Sequence, residues 1–308
     1  MLKKVTITNY LGDKVEYKID GCDVYKNNGI IITDIEGLGP VKANINMTKL
    51  ATYDGELYNS AILDGRNIVI HAIFTWCDTV EESRLSSYKF FPLKKTVTFE
   101  IETEHRKAYT IGYVESNEPS IFSEEPDPLE MQISLVCESP FFLDSRGIDE
   151  KIFSDVEPLF EFVYENPHPT TKLTEISDFQ SRRQCSVWYD GDSESAFDMV
   201  IHAIGTVGNF WMYSIRTGDY IYIDKQKMIE KTGSGIIEGD DIILSSYQGK
   251  KKALLLRNGE YTSILTLLGK NPKWFNLVHG ENIFSYISDY GEENVRVYVR
   301  VQPQFDGV

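Results

Sequence analysis

Apolar and polar residues alternate with a period of two from one end of the chain to the other, and that pattern restricts it to half-buried strands. Val5 and Ile7 alternate with Thr6 and Thr8, Val97, Phe99 and Ile101 with Thr98 and Glu100, and Met131, Ile133 and Leu135 with Gln132 and Ser134. The clearest case is Val295, Val297, Val299 and Val301, which point one way while Arg296, Tyr298 and Arg300 point the other. One face of each such strand packs, and the other meets water or a partner. Eighteen Tyr and 16 Phe add to the strand preference.

A chain of 308 residues can bury a large core and suggests two domains on a prior of about 150 residues each. The Pro, Gly and Ser in the stretch Glu138-Ser-Pro140-Phe-Phe142-Leu-Asp-Ser-Arg-Gly147 place a boundary near residue 145, giving domains at 1–145 and 146–308. In the second half, Asp190-Gly191-Asp192, Arg216-Thr217-Gly218-Asp219, Glu238-Gly239-Asp240, Gln248-Gly249-Lys250 and Asn258-Gly259-Glu260 punctuate short strands, a spacing that suits an antiparallel sandwich.

One stretch reads convincingly as helix: Asp78-Thr79-Val80-Glu81-Glu82 offers a capping box, and Leu85, Tyr88 and Phe91 follow at three-residue steps before Pro92 stops it. Ser263 to Leu268 is a weaker candidate, with a strand equally allowed by its β-branched residues. Glu115 to Glu130 carries three prolines and six acids and reads as a long exposed loop between two strands.

Thirty-one Lys and Arg stand against 47 Asp and Glu, a formal charge of -16, which disfavours attraction to phosphates or anionic lipid over most of the surface. The segment Met1-Leu2-Lys3-Lys4 runs directly into alternating residues without the apolar core of a signal peptide, and no apolar run reaches the roughly 18 residues of a spanning helix. Synthesis and assembly in the cytoplasm are therefore expected. Cys22, Cys77, Cys137 and Cys185 lack the close spacing of zinc or redox pairs and read as reduced structural thiols.

Tests for chemistry return little. The five histidines, His71, His105, His168, His202 and His279, form no ligand pair, and His71 and His202 sit inside apolar strand sequences. Gly233-Ser234-Gly235 through Gly239 has the look of a phosphate loop but lacks the following Lys-Ser/Thr pair, so it reads as a hairpin loop. No nucleophile elbow occurs, and no carboxylate pair is singled out. Trp188-Tyr189 and Lys273-Trp274-Phe275-Asn276 could stack on sugars, although most such aromatics in a sandwich are core. The sequence thus names no catalytic, cofactor-binding or metal-binding residue, and assigns no carbohydrate-binding one.

Taken in order, several segments resemble the siphophage distal tail protein family, the hub subunits at the tip of long non-contractile tails. In the first half these are Asp34-Ile-Glu-Gly37-Leu-Gly39-Pro40, Asp64-Gly-Arg66-Asn-Ile68-Val-Ile70 with the helix after it, Ile111-Gly112-Tyr113-Val114-Glu115, and Ile133-Ser-Leu135-Val-Cys137-Glu-Ser-Pro140-Phe-Phe142. In the second half they are Gly239-Asp240-Asp-Ile242, Gly249-Lys250, Trp274-Phe275-Asn-Leu277-Val-His-Gly280-Glu-Asn282 and Gln304-Phe-Asp-Gly307-Val308, while residues 145 to 230 match least.

The resemblance implies a mainly β chain with two parts. An N-terminal β-sandwich or barrel-like domain with one helix would form a ring, typically a hexamer, and a C-terminal galectin-like sandwich would face outwards as a platform. It implies a virion structural protein, not an enzyme, with no cofactor. Its partners would be copies of itself, the tail tube protein, a tail-associated hub or lysin protein, and receptor-binding or baseplate proteins. DNA would pass the ring without specific binding, and no membrane insertion is expected. A lectin-like host-recognition module is the alternative.

Overall fold

In the computed structural model the alternating segments are strands, and all their pairings are antiparallel. The structure describes residues 2–18, 30–50, 54–74, 79–119, 129–147, 149–152, 154–158, 177–181, 184–247, 249–269, 272 and 274–308. Cys22, Cys77, Asp78, His168, Lys273 and the centre of the acidic proline-rich segment lie outside them. The chain divides into two units, Met1–Gly147 together with Gln304–Val308, and Ile148–Pro303. The division after residue 147 falls close to the composition break, but the last five residues return to the first unit.

The first unit contains β1 (Leu2–Thr8), β2 (Lys14–Lys18), β3 (Ile30–Glu36), β4 (Ala43–Lys49), β5 (Glu56–Leu63), β6 (Arg66–Phe74), α1 (Val80–Phe90), β7 (Thr96–Thr103), β8 (Lys107–Pro119), β9 (Leu129–Cys137) and β10 (Phe142–Asp144). Its main sheet has the order β2-β1-β7-β8-β9-β6-β3, with β10 added through β8. Inward residues such as Ile7, Ile70, Phe99, Ile101, Ile133 and Leu135 form one core. The acidic segment is less of a loop than its prolines suggest. Residues 115 to 119 continue β8 and pair with β9 as far as Pro119 opposite Met131, with a bulge between Val114 and Ser116 that absorbs Glu115.

Thr79 caps α1 by accepting from the Glu82 N–H at 3.2 Å, as the capping box requires. The buried side of the helix differs from the expected one. Ser83 and Ser87 face inward, whereas Leu85 and Tyr88 are exposed and only Phe91, just past the end, enters the core. Two serines let the helix lie close to the sheet, and the Ser87 hydroxyl donates to Arg84 O at 2.7 Å.

The second unit contains β11 (Asp149–Ile152), β12 (Ser154–Pro158), β13 (Ser177–Ser181), β14 (Gln184–Tyr189), β15 (Asp198–Ala203), β16 (Phe210–Ser214), β17 (Tyr220–Ile223), α2 (Lys225–Thr232), β18 (Asp241–Ser245), β19 (Lys252–Arg257), β20 (Glu260–Ser263), β21 (Gly280–Ser288) and β22 (Val295–Val301). A six-stranded sheet, β11-β22-β15-β18-β19-β20, and a four-stranded one, β14-β21-β16-β17, share a single core, which makes this unit a sandwich. The four valines of β22 are buried as their alternation demands. Asn258 and Gly259, both at positive φ, form the two-residue turn joining β19 to β20.

The helix α2 was not foreseen from the sequence. Asp224 Oδ1 accepts from Gln226 N–H at 2.9 Å and Lys227 N–H at 3.2 Å, and Gly233 at φ +84 closes the other end. Gly233 is therefore a helix cap and not part of a hairpin loop. Ser263 to Leu268 resolves into the end of β20 and a 3₁₀ turn, Leu265–Leu267. The last strand, β23 (Gln304–Phe305), pairs with β10, so the second unit is inserted between two neighbouring strands of the first.

Candidate functional site: a buried arginine and an exposed hairpin

Four of the segments quoted above converge on one side chain. Arg66 opens β6 and is 1% exposed, yet none of its hydrogen bonds goes to a carboxylate; all its donors go to backbone carbonyls. Nε donates to Pro140 O at 3.0 Å, Nη1 to Gly37 O and to Gly39 O (2.7 Å), and Nη2 to Pro140 O (2.7 Å) and Asp306 O (2.5 Å). These five bonds match the five N–H groups of a guanidinium. Its plane also lies 4.2 Å above the Phe142 ring. Burial lowers its pKa from the ordinary arginine value, and the carbonyl dipoles replace the lost water.

Glycine is required in this knot. Gly37 has φ +86, and a Cβ there would meet Asn67 O at 2.0 Å. Val308 N–H donates to Leu38 O at 3.1 Å, and Arg106 Nη1 donates to Gly307 O at 2.9 Å with its guanidinium 4.5 Å over Phe305. Motifs that looked like isolated turns are thus the contact partners of one cation.

The second feature is the hairpin β4–β5, a two-stranded sheet of its own outside the main one. Lys49 and Glu56 pair near its tip at 3.8 Å. Cross-strand register puts Ala43 opposite Leu63, Ile45 opposite Ala61 and Met47 opposite Tyr58, so one face is apolar as far as the Lys49–Glu56 pair. Ile45, Met47, Tyr58 and Leu63 on that face, and Leu57 and Ile62 on the other, are all exposed. A lone two-stranded hairpin is marginal in water, and an exposed apolar face of this kind is unusual on a surface.

The polar residues singled out from the sequence are placed in structural pairs. His71 Nε2 lies 3.2 Å from Glu36 Oε1 across β3 and β6, and His202 Nδ1 lies 2.6 Å from Asp241 Oδ1 across β15 and β18. His279 Nδ1 lies 3.0 Å from Gly191 O, and His105 sits in the turn before β8. Asp240, 1% exposed, holds Arg257 in a bidentate pair at 2.7 and 2.6 Å, and that bond raises the Arg257 pKa. Arg257 Nη1 and Nη2 then bind Ser234 Oγ at 2.6 Å and Gly235 O at 2.7 Å, which ties down the glycine-rich segment. Among the described residues no cluster of three His, Cys, Asp or Glu could hold a metal. No described helix is long and apolar enough to cross a membrane.

Of the aromatics considered for sugar stacking, Tyr189 and Phe275 are core, Trp274 packs partly against the core, and Trp188 is exposed. The sequence reading missed Trp211, Tyr213, Tyr220 and Tyr222. Their signal was the alternation in Phe210-Trp-Met-Tyr-Ser214 and Tyr220-Ile-Tyr-Ile223, which sends aromatics to the outer face of two paired strands.

No protein-family model and no curated protein matches this chain. Solved structures do. The crystal structure of SPP1 Dit (gp 19.1), titled a paradigm of the hub adsorption apparatus in phages infecting Gram-positive hosts, aligns over 98% of this chain and 99% of its own, with a TM-score of 0.60 and 11% identity. Two structures of the phage P2 baseplate in its activated conformation are similar at 10% identity. The one with Ca covers 100% of both chains at a TM-score of 0.48, and the one with Sr covers 99% of both at 0.47. Over nearly its whole length the chain has the fold of a phage distal tail hub protein.

Proposed function

We propose that the chain is a distal tail protein, a structural hub subunit of a phage tail tip that closes into a hexameric ring and connects the tail tube to the adsorption apparatus. The observation that carries this reading is the β4–β5 hairpin. Its apolar face is exposed among the described residues, and a copy-to-copy contact repeated around a rotation axis would supply a cover at each position. Each large apolar side chain covered in this way contributes about 1.5–3 kcal/mol before the cost of association.

In this reading the first unit builds the ring and the second is an outward, galectin-like platform for receptor-binding or baseplate proteins. Tail tube and hub or lysin proteins would dock on the ring, and the protein would reside at the tail tip of the virion. DNA would pass through the lumen without binding, favoured by the -16 charge. No step of this role requires catalysis.

Light scattering coupled to size-exclusion chromatography, followed by negative-stain microscopy, tests it. Six-fold rings are expected from the intact chain, alone or with tail partners, and Ile45→Ser with Met47→Ser should abolish them while the monomer stays folded. A strictly monomeric species under all conditions, tail partners included, overturns the ring.

A further inference from the structure

The outer face of the four-stranded sheet in the second unit is aromatic where a solvated face is ordinarily polar. Strand alternation buries Phe210, Met212, Ile221, Ile223, Phe284 and Tyr286, and turns their neighbours outward. Register then places Trp211 between Tyr222 and Ile287 in one row, and Tyr213 between Tyr220 and Ser285 in the next. The rings of Trp211 and Tyr222 stack at 4.7 Å and 24°. Trp211, Tyr213, Gly218, Tyr220, Ile287 and Asp289 line an open cavity of about 590 Å³, inside the roughly 300–1,000 Å³ range of small-ligand sites.

The rim is polar and its charge has a sign. Asp289 Oδ2 accepts from Asn209 Nδ2 at 2.6 Å, and Asn209 Oδ1 accepts the Lys225 N–H at 2.8 Å, which fixes the carboxylate at the cavity edge. The Lys225 ammonium lies 5.1 Å from the Tyr290 ring. Burial, and then the charges of Asp224 and Asp289, push the Tyr222 pKa above the ordinary phenol value. Ring faces not taken up by the Trp211–Tyr222 stack can meet the C–H groups of a pyranose, while a fixed carboxylate and phenol hydroxyls can bond its hydroxyls. Asp224 and Asp289 against the single Lys225 ammonium leave these rim charges net negative, which disfavours phosphates and uronates and favours a sugar without anionic groups.

We propose that this aromatic face binds an uncharged hexopyranose unit of a glycan, with Trp211 and Tyr220 stacking on the sugar ring and Asp289 accepting from its hydroxyls. The site goes beyond the ring reading and does not need the ring. The experiment is a titration of the full chain with neutral oligosaccharides of glucose, galactose and N-acetylglucosamine and with a glycerol phosphate polymer, read by calorimetry and tryptophan fluorescence. At least one neutral glycan should bind saturably, and Tyr220→Ala, Trp211→Ala and Asp289→Asn should each weaken it about tenfold or more. Trp188→Ala, at an exposed tryptophan outside the cavity lining, should leave it unchanged. Tyr220 is 52% exposed, so its variant remains folded even if Trp211→Ala does not.

Absence of a saturable response to any neutral sugar overturns the proposal. Binding confined to the phosphate polymer, or undiminished in Tyr220→Ala, also overturns it, as does cross-linking of this face to a tail protein without any sugar response. A chain that forms rings but fails this titration removes the glycan site alone. One that binds sugar and never assembles removes the ring alone.

Discussion

Arg66 and Asp306 stand 240 residues apart and meet through a hydrogen bond of 2.5 Å from the guanidinium to a backbone carbonyl. The same guanidinium holds Gly37, Gly39 and Pro140, so it joins two loops to the terminal segment that re-enters after the whole second unit has been completed. Replacing Arg66 by Met would leave four backbone carbonyls without that donor. A loss of about 3 kcal/mol or more is expected in the first unit, read by urea unfolding. Arg66→Lys should recover only part of it, because three donors cannot meet five acceptor contacts. Deleting residues 304–308 should lower the same transition.

The two sides of α1 should respond in the opposite sense to hydrophobicity. Ser87 is 0% exposed, and Ser87→Leu should destabilise by about 1–3 kcal/mol through overpacking. Leu85, 49% exposed, should tolerate Leu85→Ser within about 0.5 kcal/mol. Thermal unfolding of the two variants decides the matter.

In the second unit, Arg257→Met would strand the Asp240 carboxylate in the interior. The expected cost is about 3–5 kcal/mol, as for other broken buried pairs. Asp240→Asn with Arg257→Met should be less damaging than Arg257→Met alone, which a double-mutant cycle measures.

A small acid-side effect belongs to β1 and β2. Lys4 Nζ donates to Glu16 Oε1 at 2.6 Å, and that bond, more than the other nearby lysines, holds the Glu16 pKa below its ordinary value. A carboxylate lowered in the folded state contributes stability above its unfolded pKa and loses it as pH falls through the folded one. Glu16 is more than a third exposed, so screening leaves about 0.3 kcal/mol. Lys4→Met should lose that amount at about pH 7 and nothing at about pH 2, by unfolding at both values.

Burial raises the Cys137 thiol pKa, whereas Cys185 is partly exposed. Native-state alkylation followed by peptide mass spectrometry should label Cys185 and spare Cys137 until the first unit unfolds.

Alternation, turn residues and the Thr79 cap were enough to give a mainly β chain with a break near residue 145. These are local properties: a period of two selects strands, and an Asn-Gly pair selects a tight turn, whatever surrounds them. The short α2 escaped notice because only Met228 of its residues is buried, leaving almost no apolar periodicity to read beside its Asp and Gly caps. On α1 the three-residue spacing marked the wrong side, since spacing identifies a stripe but not the surface it meets.

The sequence by itself therefore determined the strand content, the turn positions and the acidic charge. Only the tertiary structure decided that Gly37, Gly39, Pro140 and Asp306 share one arginine, that β4 and β5 stand apart from the main sheet, and that Trp211, Tyr213, Tyr220 and Tyr222 share the outer face of β16 and β17. Each of these depends on which distant segments a strand or loop meets, or does not meet. Alternation fixes which side chains share a face and leaves open what that face will meet.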